Sequence, residues 1–263
     1  MHECEFNAAR AALTEARRSA RRIDPLPGEW VPSSLDEACR LQRVVAGDLG
    51  EIRGWKISGL TAEQQRAMGV TCPLAGPLLA PWVRESGGSF ERAAFVQPRL
   101  ECEFAFELKE DLPARATPYT RAEVEAAIGA LRVVIEVVDT RLPANSAAWM
   151  ELADDLNNGG FVVGAASSHW RTVRYAEQSI VLRRYHADGT TAELARGDGR
   201  AVLDGDPVGA VVLLTNLPAM RGRGLRAGGI VTTGSCTGAV AVPGPGDIEA
   251  DFGDLGTVHL RFS

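Results

Sequence analysis

The chain has 263 residues, 45% hydrophobic and 24% charged, with a formal net charge of −6. That length fits one large domain, or one domain with a small appendage, and the mildly acidic balance without a basic block excludes nucleic acid as an expected partner. No apolar run approaches membrane-spanning length, Met1 to Arg22 lacks a signal-peptide core, and the five cysteines are scattered, so a cytoplasmic protein with no membrane partner is expected.

In chain order, Asn7 to Arg22 reads as an Ala- and Arg-rich helix, followed by a Pro/Gly-bearing linker, Asp24 to Pro32. Ser34 with Glu37 three residues on predicts the start of a second helix, whose apolar face carries Leu35, Ala38, Leu41, Val44 and Val45. Thr61 with Gln64 repeats the cap for a short helix that Gly69 ends. Leu100 to Leu108 alternates as a half-buried strand does. Leu100, Cys102, Phe104, Phe106 and Leu108 share one face, and Glu101, Glu103, Ala105 and Glu107 the other. Thr120 with Glu123 caps a fourth helix expected to run to about Leu131, and Val133 to Val138 reads as a central strand. Short strands follow at Val162–Gly164, Ile180–Tyr185, Ile230–Thr233, Ala239–Val242 and Val258–Phe262. Without regular β-α-β alternation, the pattern favours an α+β fold with a mostly antiparallel or mixed β core.

Glu101 and Glu103 lie on one strand face, about 7 Å apart at the backbone. In water their repulsion is harmless, and the pair is then an ordinary solvated strand face; in an enclosed site a cation must offset it. Glu136 lies in Val133-Val134-Ile135-Glu136-Val137-Val138, where its neighbours demand burial. A buried ionised Glu needs an arginine partner or a metal. Three carboxylates without clustered His or Cys suit a hard cation, Mg2+ or Mn2+. Lys56, one of only two lysines, sits in the short apolar stretch Trp55-Lys56-Ile57. It is either a snorkelling surface group or a compact charge with a movable pKa. Thr232 to Gly238 and Asn157 to Gly160 are Gly-rich polar loops, either plain turns or cradles for a substrate carboxylate.

In this order the segments Gly54-Trp55-Lys56-Ile57-Ser58, Gly69-Val70 with Pro73 and Gly76, Arg99-Leu100-Glu101-Cys102-Glu103-Phe104, Ile135-Glu136-Val137-Val138-Asp139, Gly159-Gly160-Phe161-Val162-Val163-Gly164 and Thr233-Gly234-Ser235 resemble the 2-keto-4-pentenoate hydratase / 4-oxalocrotonate decarboxylase branch of the fumarylacetoacetate hydrolase superfamily. The resemblance runs from the N-terminal helix to the last strand. It implies N-terminal helices (residues 1–50) followed by a catalytic mixed β-roll (residues 51–263) of the superfamily's C-terminal-domain type. It implies Mg2+ or Mn2+ on Glu101, Glu103 and Glu136, an active-site Lys56, a small 2-oxo acid substrate met also by Asn157, Asn158, Thr233 and Ser235, and a homo-oligomer. The implied reaction is hydration of a 2-hydroxy-2,4-dienoate to a 4-hydroxy-2-oxo acid, in aromatic-compound catabolism.

Two positions depart from the pattern. Leu74 stands where hydratases of the family usually have an acid, and Asn157-Asn158 stand where they usually have a Ser pair or similar. Leu74 keeps 4-oxalocrotonate-type decarboxylation open as an alternative. Acylpyruvate hydrolysis, disfavoured because no His occurs between His2 and His169, and a non-catalytic 2-oxo acid binding protein are the others.

Overall fold

The computed structural model describes residues 1–186, 188–242 and 244–263. Helix α1, Glu3–Ser19, begins earlier than expected because the Glu5 carboxylate accepts the His2 N–H (2.6 Å). It ends at Ala20, which is left-handed (φ 53°) and returns its N–H to the Ala16 carbonyl. Helix α2, Leu35–Leu49, is capped by the Ser34 hydroxyl, which accepts from the Glu37 amide. Helix α3, Ala62–Met68, lies between the Thr61 cap and left-handed Gly69, as its sequence implies. Helix α4, Arg121–Ala127, is capped by Thr120 and Glu123 but stops before Leu131. Gly129 disfavours continuation, and the backbone from Ile128 onward bonds instead to the neighbouring strand. Three further short helices lacked an expectation: α5, Ala148–Ala153; α6, Pro207–Asn216; and α7, Pro218–Arg221.

Thirteen strands follow the chain among the described residues: β1 Ile52–Ser58, β2 Leu74–Leu79, β3 Val83–Glu85, β4 Gly88–Phe90, β5 Arg99–Leu108, β6 Ile128–Val138, β7 Asn158–Ser167, β8 Ser179–Tyr185, β9 Thr191–Asp198, β10 Ile230–Ser235, β11 Val240–Ala241, β12 Gly246–Asp251 and β13 Thr257–Phe262. The larger sheet has the order β2-β1-β10-β5-β6-β7-β3, with β11 also on β5; the smaller is β4-β13-β12-β8-β9. Three pairs (β1/β10, β3/β7 and β4/β13) are parallel and the others antiparallel, so the sheets are mixed as expected.

The alternation of β5 decides which face is core. Leu100, Cys102, Phe104, Phe106 and Leu108 join Ile180, Leu182, Ile248, Ala250, Val258 and Leu260 of the smaller sheet in one buried cluster. Phe104 meets Tyr175 edge-on at 5.1 Å and Phe252 at 5.8 Å. The other face of the larger sheet curls on itself. Leu78 on β2, Ala105 on β5, Val134 on β6 and Phe161 on β7 form one cluster, although β2 and β7 are far apart in strand order. The result is a roll with a small apolar plug inside. Helices α1 and α2 pack together over Leu79, Leu142 and Met150.

Among the described residues no helix is long and apolar enough to cross a membrane. The cysteines are free; Cys102 and Cys236 are buried, Cys39 and Cys72 half-buried, and Cys4 is exposed. Phe104→Ala is expected to cost about 3–5 kcal/mol by opening a void between the two sheets. A denaturant melt showing a loss under 1 kcal/mol would contradict this account of the core.

Candidate metal centre

Antiparallel pairing of β5 with β6 sets Glu101 directly opposite Glu136, and Glu103 follows on the same face of β5. The three carboxylates each offer an oxygen, and these lie within 4.8 Å of one another. Glu136 is fully buried and Glu103 nearly so, while Glu101 is partly exposed.

Lys56 reaches the group from β1. Strands β10 and β5 lie between β1 and β6, a separation of about 14 Å in a flat sheet. The curl nevertheless brings Lys56 Nζ to 2.6 Å from Glu136 Oε1. Nζ also donates to the Leu156 carbonyl (3.2 Å), and Asn158 Nδ2 donates to the same Glu136 Oε1 (3.0 Å). Glu136 Oε2 is buried with no partner. Glu103 Oε2 accepts from the Gly234 amide (3.0 Å). That amide is aimed by an irregularity in β10 between Thr232 and Ser235, where Gly234 takes φ 94°.

The electrostatics are unbalanced. Burial, then the charges of Glu136 and Glu101, push the Glu103 carboxyl up to about 8. Burial, then Glu136, pushes Glu101 up to about 7. Burial alone would lower the Lys56 pKa, but Glu136 and Glu101 outweigh it and the ammonium is held above its usual value. Three ionised carboxylates against one ammonium would leave two negative charges in a buried space, and the raised Glu101 and Glu103 values express that excess. An all-oxygen donor set, that excess charge and an orphaned carboxylate oxygen fit a hard divalent cation.

The turn entering β7 is the part that sequence reasoning missed. Asp155, Leu156 and Asn157 are all left-handed (φ 53°, 55° and 59°), at a cost of about 1–2 kcal/mol each for residues with a Cβ. Asn and Asp tolerate this backbone, but Leu156 carries no such signal. The turn presents the Leu156 carbonyl to Lys56. It presses on Gly76, where an added Cβ would lie 2.7 Å from the Asp155 carbonyl oxygen and 3.1 Å from Lys56 Cγ.

The remaining expected site residues divide. The Ser235 hydroxyl borders the Glu101 carboxylate, whose pKa it lowers, and the Asn157 Oδ1 is buried without a hydrogen bond. Thr233 is fully buried and its hydroxyl donates to the Phe104 carbonyl (2.9 Å), fastening β10 to β5. Asn158 supports Glu136 through its amide, so that donor is committed within the protein. Glu107 stays outside the triad and pairs with Arg132 (2.7 Å). Leu74 is buried with Val70, Leu152 and Leu156, an apolar contact beneath the turn. A cavity of about 580 Å3, lined by Leu35, Cys39, Trp55, Leu74, Met220 and Arg223 among others, contains no member of the triad.

Glu101, Glu103 and the buried Asp155 carboxyl (raised to about 7, chiefly by burial) have folded pKa values above their unfolded ones. The folded state therefore binds extra protons, and that stabilisation is complete below the unfolded value near 4 and lost as pH rises through 7–8. The metal-free protein is expected to lose thermal stability between about pH 5 and pH 8, and Glu103→Gln to reduce that loss. A melting temperature that climbs across this range in metal-free buffer would contradict the charge balance described.

No protein-family model matches the chain. It is 31% identical to a 2-keto-4-pentenoate hydratase of Burkholderia vietnamiensis, across 96% of this chain and 95% of the relative. It is 30% identical to a 4-oxalocrotonate decarboxylase of Pseudomonas sp., across 94% of each. Among solved structures, the 4-oxalocrotonate decarboxylase from Pseudomonas putida G7, complexed with magnesium and adipate, shares the fold with a TM-score of 0.86 at 24% identity, covering 100% of this chain and 99% of that one. Identity at this level over almost the whole length shows that the chain belongs to the family of 2-keto-4-pentenoate hydratases and 4-oxalocrotonate decarboxylases.

Proposed function

We propose that this protein is a metal-dependent hydro-lyase that adds water to a 2-hydroxy-2,4-dienoate of the 2-keto-4-pentenoate type, giving a 4-hydroxy-2-oxo acid. The observation that carries the reading is the buried Glu101–Glu103–Glu136 cluster with its one ammonium and its orphaned Oε2. The hydratase names of full-length relatives support the substrate class.

The three carboxylates hold Mg2+ or Mn2+, which supplies Lewis-acid charge to the oxygens of a 2-oxo acid. Lys56 has a distinct task. Its ion pair with Glu136 Oε1 holds Nζ beside the triad, where it serves as a cation and proton donor to the reacting chain. Hydration requires a proton at C5 to form the conjugated 2-oxo acid, water at C4 and a second proton at C3. Lys56 is the proton-bearing side chain nearest the triad. The Ser235 hydroxyl beside Glu101 and the Asn157 amide oxygen are polar groups available to meet substrate or water. Leu74 and Leu156 form an apolar cluster beneath the turn that carries Asn157.

Leu74 favours a second reading, decarboxylation of a 4-oxalocrotonate-type acid. It provides no acid where hydratases of the family usually have one, and relatives of that name match over most of the chain. The homo-oligomer, the cytoplasmic location and the division at residue 50 belong to the proposal too, and light scattering and cell fractionation test the first two.

The purified protein is mixed with 2-hydroxypenta-2,4-dienoate, with and without Mg2+ or Mn2+, and the dienol absorbance is followed. The reading predicts metal-dependent loss of the signal with 4-hydroxy-2-oxopentanoate as product. CO2 release from 4-oxalocrotonate with no hydration of the dienoate would transfer the assignment to decarboxylation. Lys56→Met is expected to lower turnover by roughly 10^2–10^4, and Glu103→Gln to abolish metal-dependent turnover while the fold is kept; full activity in Glu103→Gln would sink the metal assignment.

A further inference from the structure

Arg17, near the end of α1, is buried and forms no ion pair among the described residues. Its guanidinium instead donates to two consecutive backbone carbonyls at the start of β7, Asn158 (2.6 Å) and Gly159 (2.8 Å). It lies 4.1 Å from the centre of a Trp82 ring. Arg141 converges on the same place. It donates to the Asn158 carbonyl (3.1 Å), the Asp139 carbonyl (2.7 Å) and the Asp154 carbonyl (3.0 Å), and it pairs with the Asp154 carboxylate (2.9 Å). Two buried cations thus share one carbonyl oxygen. Like charges so placed repel, and burying a guanidinium on neutral acceptors is unfavourable. Burial, then the Arg141 charge, accordingly lowers the Arg17 pKa to about 9.

What the arrangement secures is the residue whose carbonyl it grips. Asn158 follows three left-handed residues, a backbone that persists only where its surroundings over-determine it. Its side-chain amide is also one of the two donors to Glu136 Oε1. With Oε1 occupied by Lys56 and Asn158, Oε2 is left as the free oxygen of Glu136.

We propose that Arg17 is a positioning residue for the metal centre: by fixing the Asn158 backbone it aims the Asn158 amide at Glu136 Oε1 and so presets Glu136 Oε2 for the cation. The inference rests on the metal reading given above. It makes α1, in the segment that precedes the roll, part of the cation site without touching it. Lysine cannot replace the residue, because one ammonium does not fork to two adjacent carbonyls while stacking on an indole.

The test is Mn2+ affinity by calorimetry on the metal-free full chain, with thermal melts in parallel. Arg17→Lys is expected to weaken Mn2+ binding roughly 10- to 100-fold, the range for groups that orient a ligand. Leu13→Ala, a buried residue of the same helix, is expected to lower the melting temperature with little change in Mn2+ affinity. In an Asn158→Ala background, Arg17→Lys is expected to add no further loss, because the link is already cut. Parental affinity in Arg17→Lys, or losses in both helix variants that merely track melting temperature, would overturn the proposal. If Arg17→Lys does not fold, Trp82→Leu, which removes the stack and keeps the guanidinium, is read the same way with a smaller expected loss of about 3-fold; parental Mn2+ affinity in it overturns the proposal. An unmodified protein that binds no Mn2+ brings down the metal reading and this inference together, whereas normal binding with an insensitive Arg17 removes the inference alone.

Discussion

Three carboxylates enclosed with a single ammonium is an arrangement that a folded protein does not tolerate without compensation. Glu136 is fully buried, one of its oxygens has no partner, and Glu101 and Glu103 are pushed toward neutrality by burial and by the Glu136 charge. A cation beside Oε2 resolves all three conditions at once, which is why the rest of the architecture is best understood as support for that charge cluster. Among the described residues no arginine forms an ion pair with the triad, although arginine is the chain's usual base: Arg99, whose charge lowers the Glu101 pKa, donates to the Ala239 carbonyl, and Arg132 on β6 is spent on Glu107.

The curled sheet supplies the enclosure. One face of β5 and β6 packs on the second sheet through Phe104, Phe106, Ile135 and Val137, and this large apolar interface holds both strands in register. Register matters because a one-residue slip would move every glutamate to the opposite face. The inner face then divides along the strands. Ala105, Val134 and Phe161 plug the roll, and Glu101, Glu103 and Glu136 follow beyond them. Close passage of backbone is needed where the left-handed turn meets β2, and Gly76 permits it. The buried guanidiniums of Arg17 and Arg141 hold the far side of that turn.

Local signals made much of this legible. Strict alternation in Leu100 to Leu108 separated core from site, and a glutamate inside Val133 to Val138 could only be buried. Capping pairs at Ser34, Thr61 and Thr120 marked helix starts correctly because a cap is decided within four residues. Non-local features were not legible. The boundary between α4 and β6 depends on pairing with β5. The commitment of Thr233 to the Phe104 carbonyl, and of Asn158 to Glu136, depends on which strands become neighbours. The turn at Leu156 is imposed by tertiary contacts against the residue's own preference. Asp206-Pro207 was a readable start for α6, and it went unused because the flanking sequence showed no helical period.

The most direct measurement is a crystal structure of the protein grown with Mn2+ and collected at a wavelength where manganese scatters anomalously. The account predicts one anomalous peak per chain, about 2 Å from oxygens of Glu101, Glu103 and Glu136, as expected for a hard cation on carboxylates. Density in which Lys56 alone neutralises the cluster, with manganese absent or bound elsewhere on the surface, would contradict it.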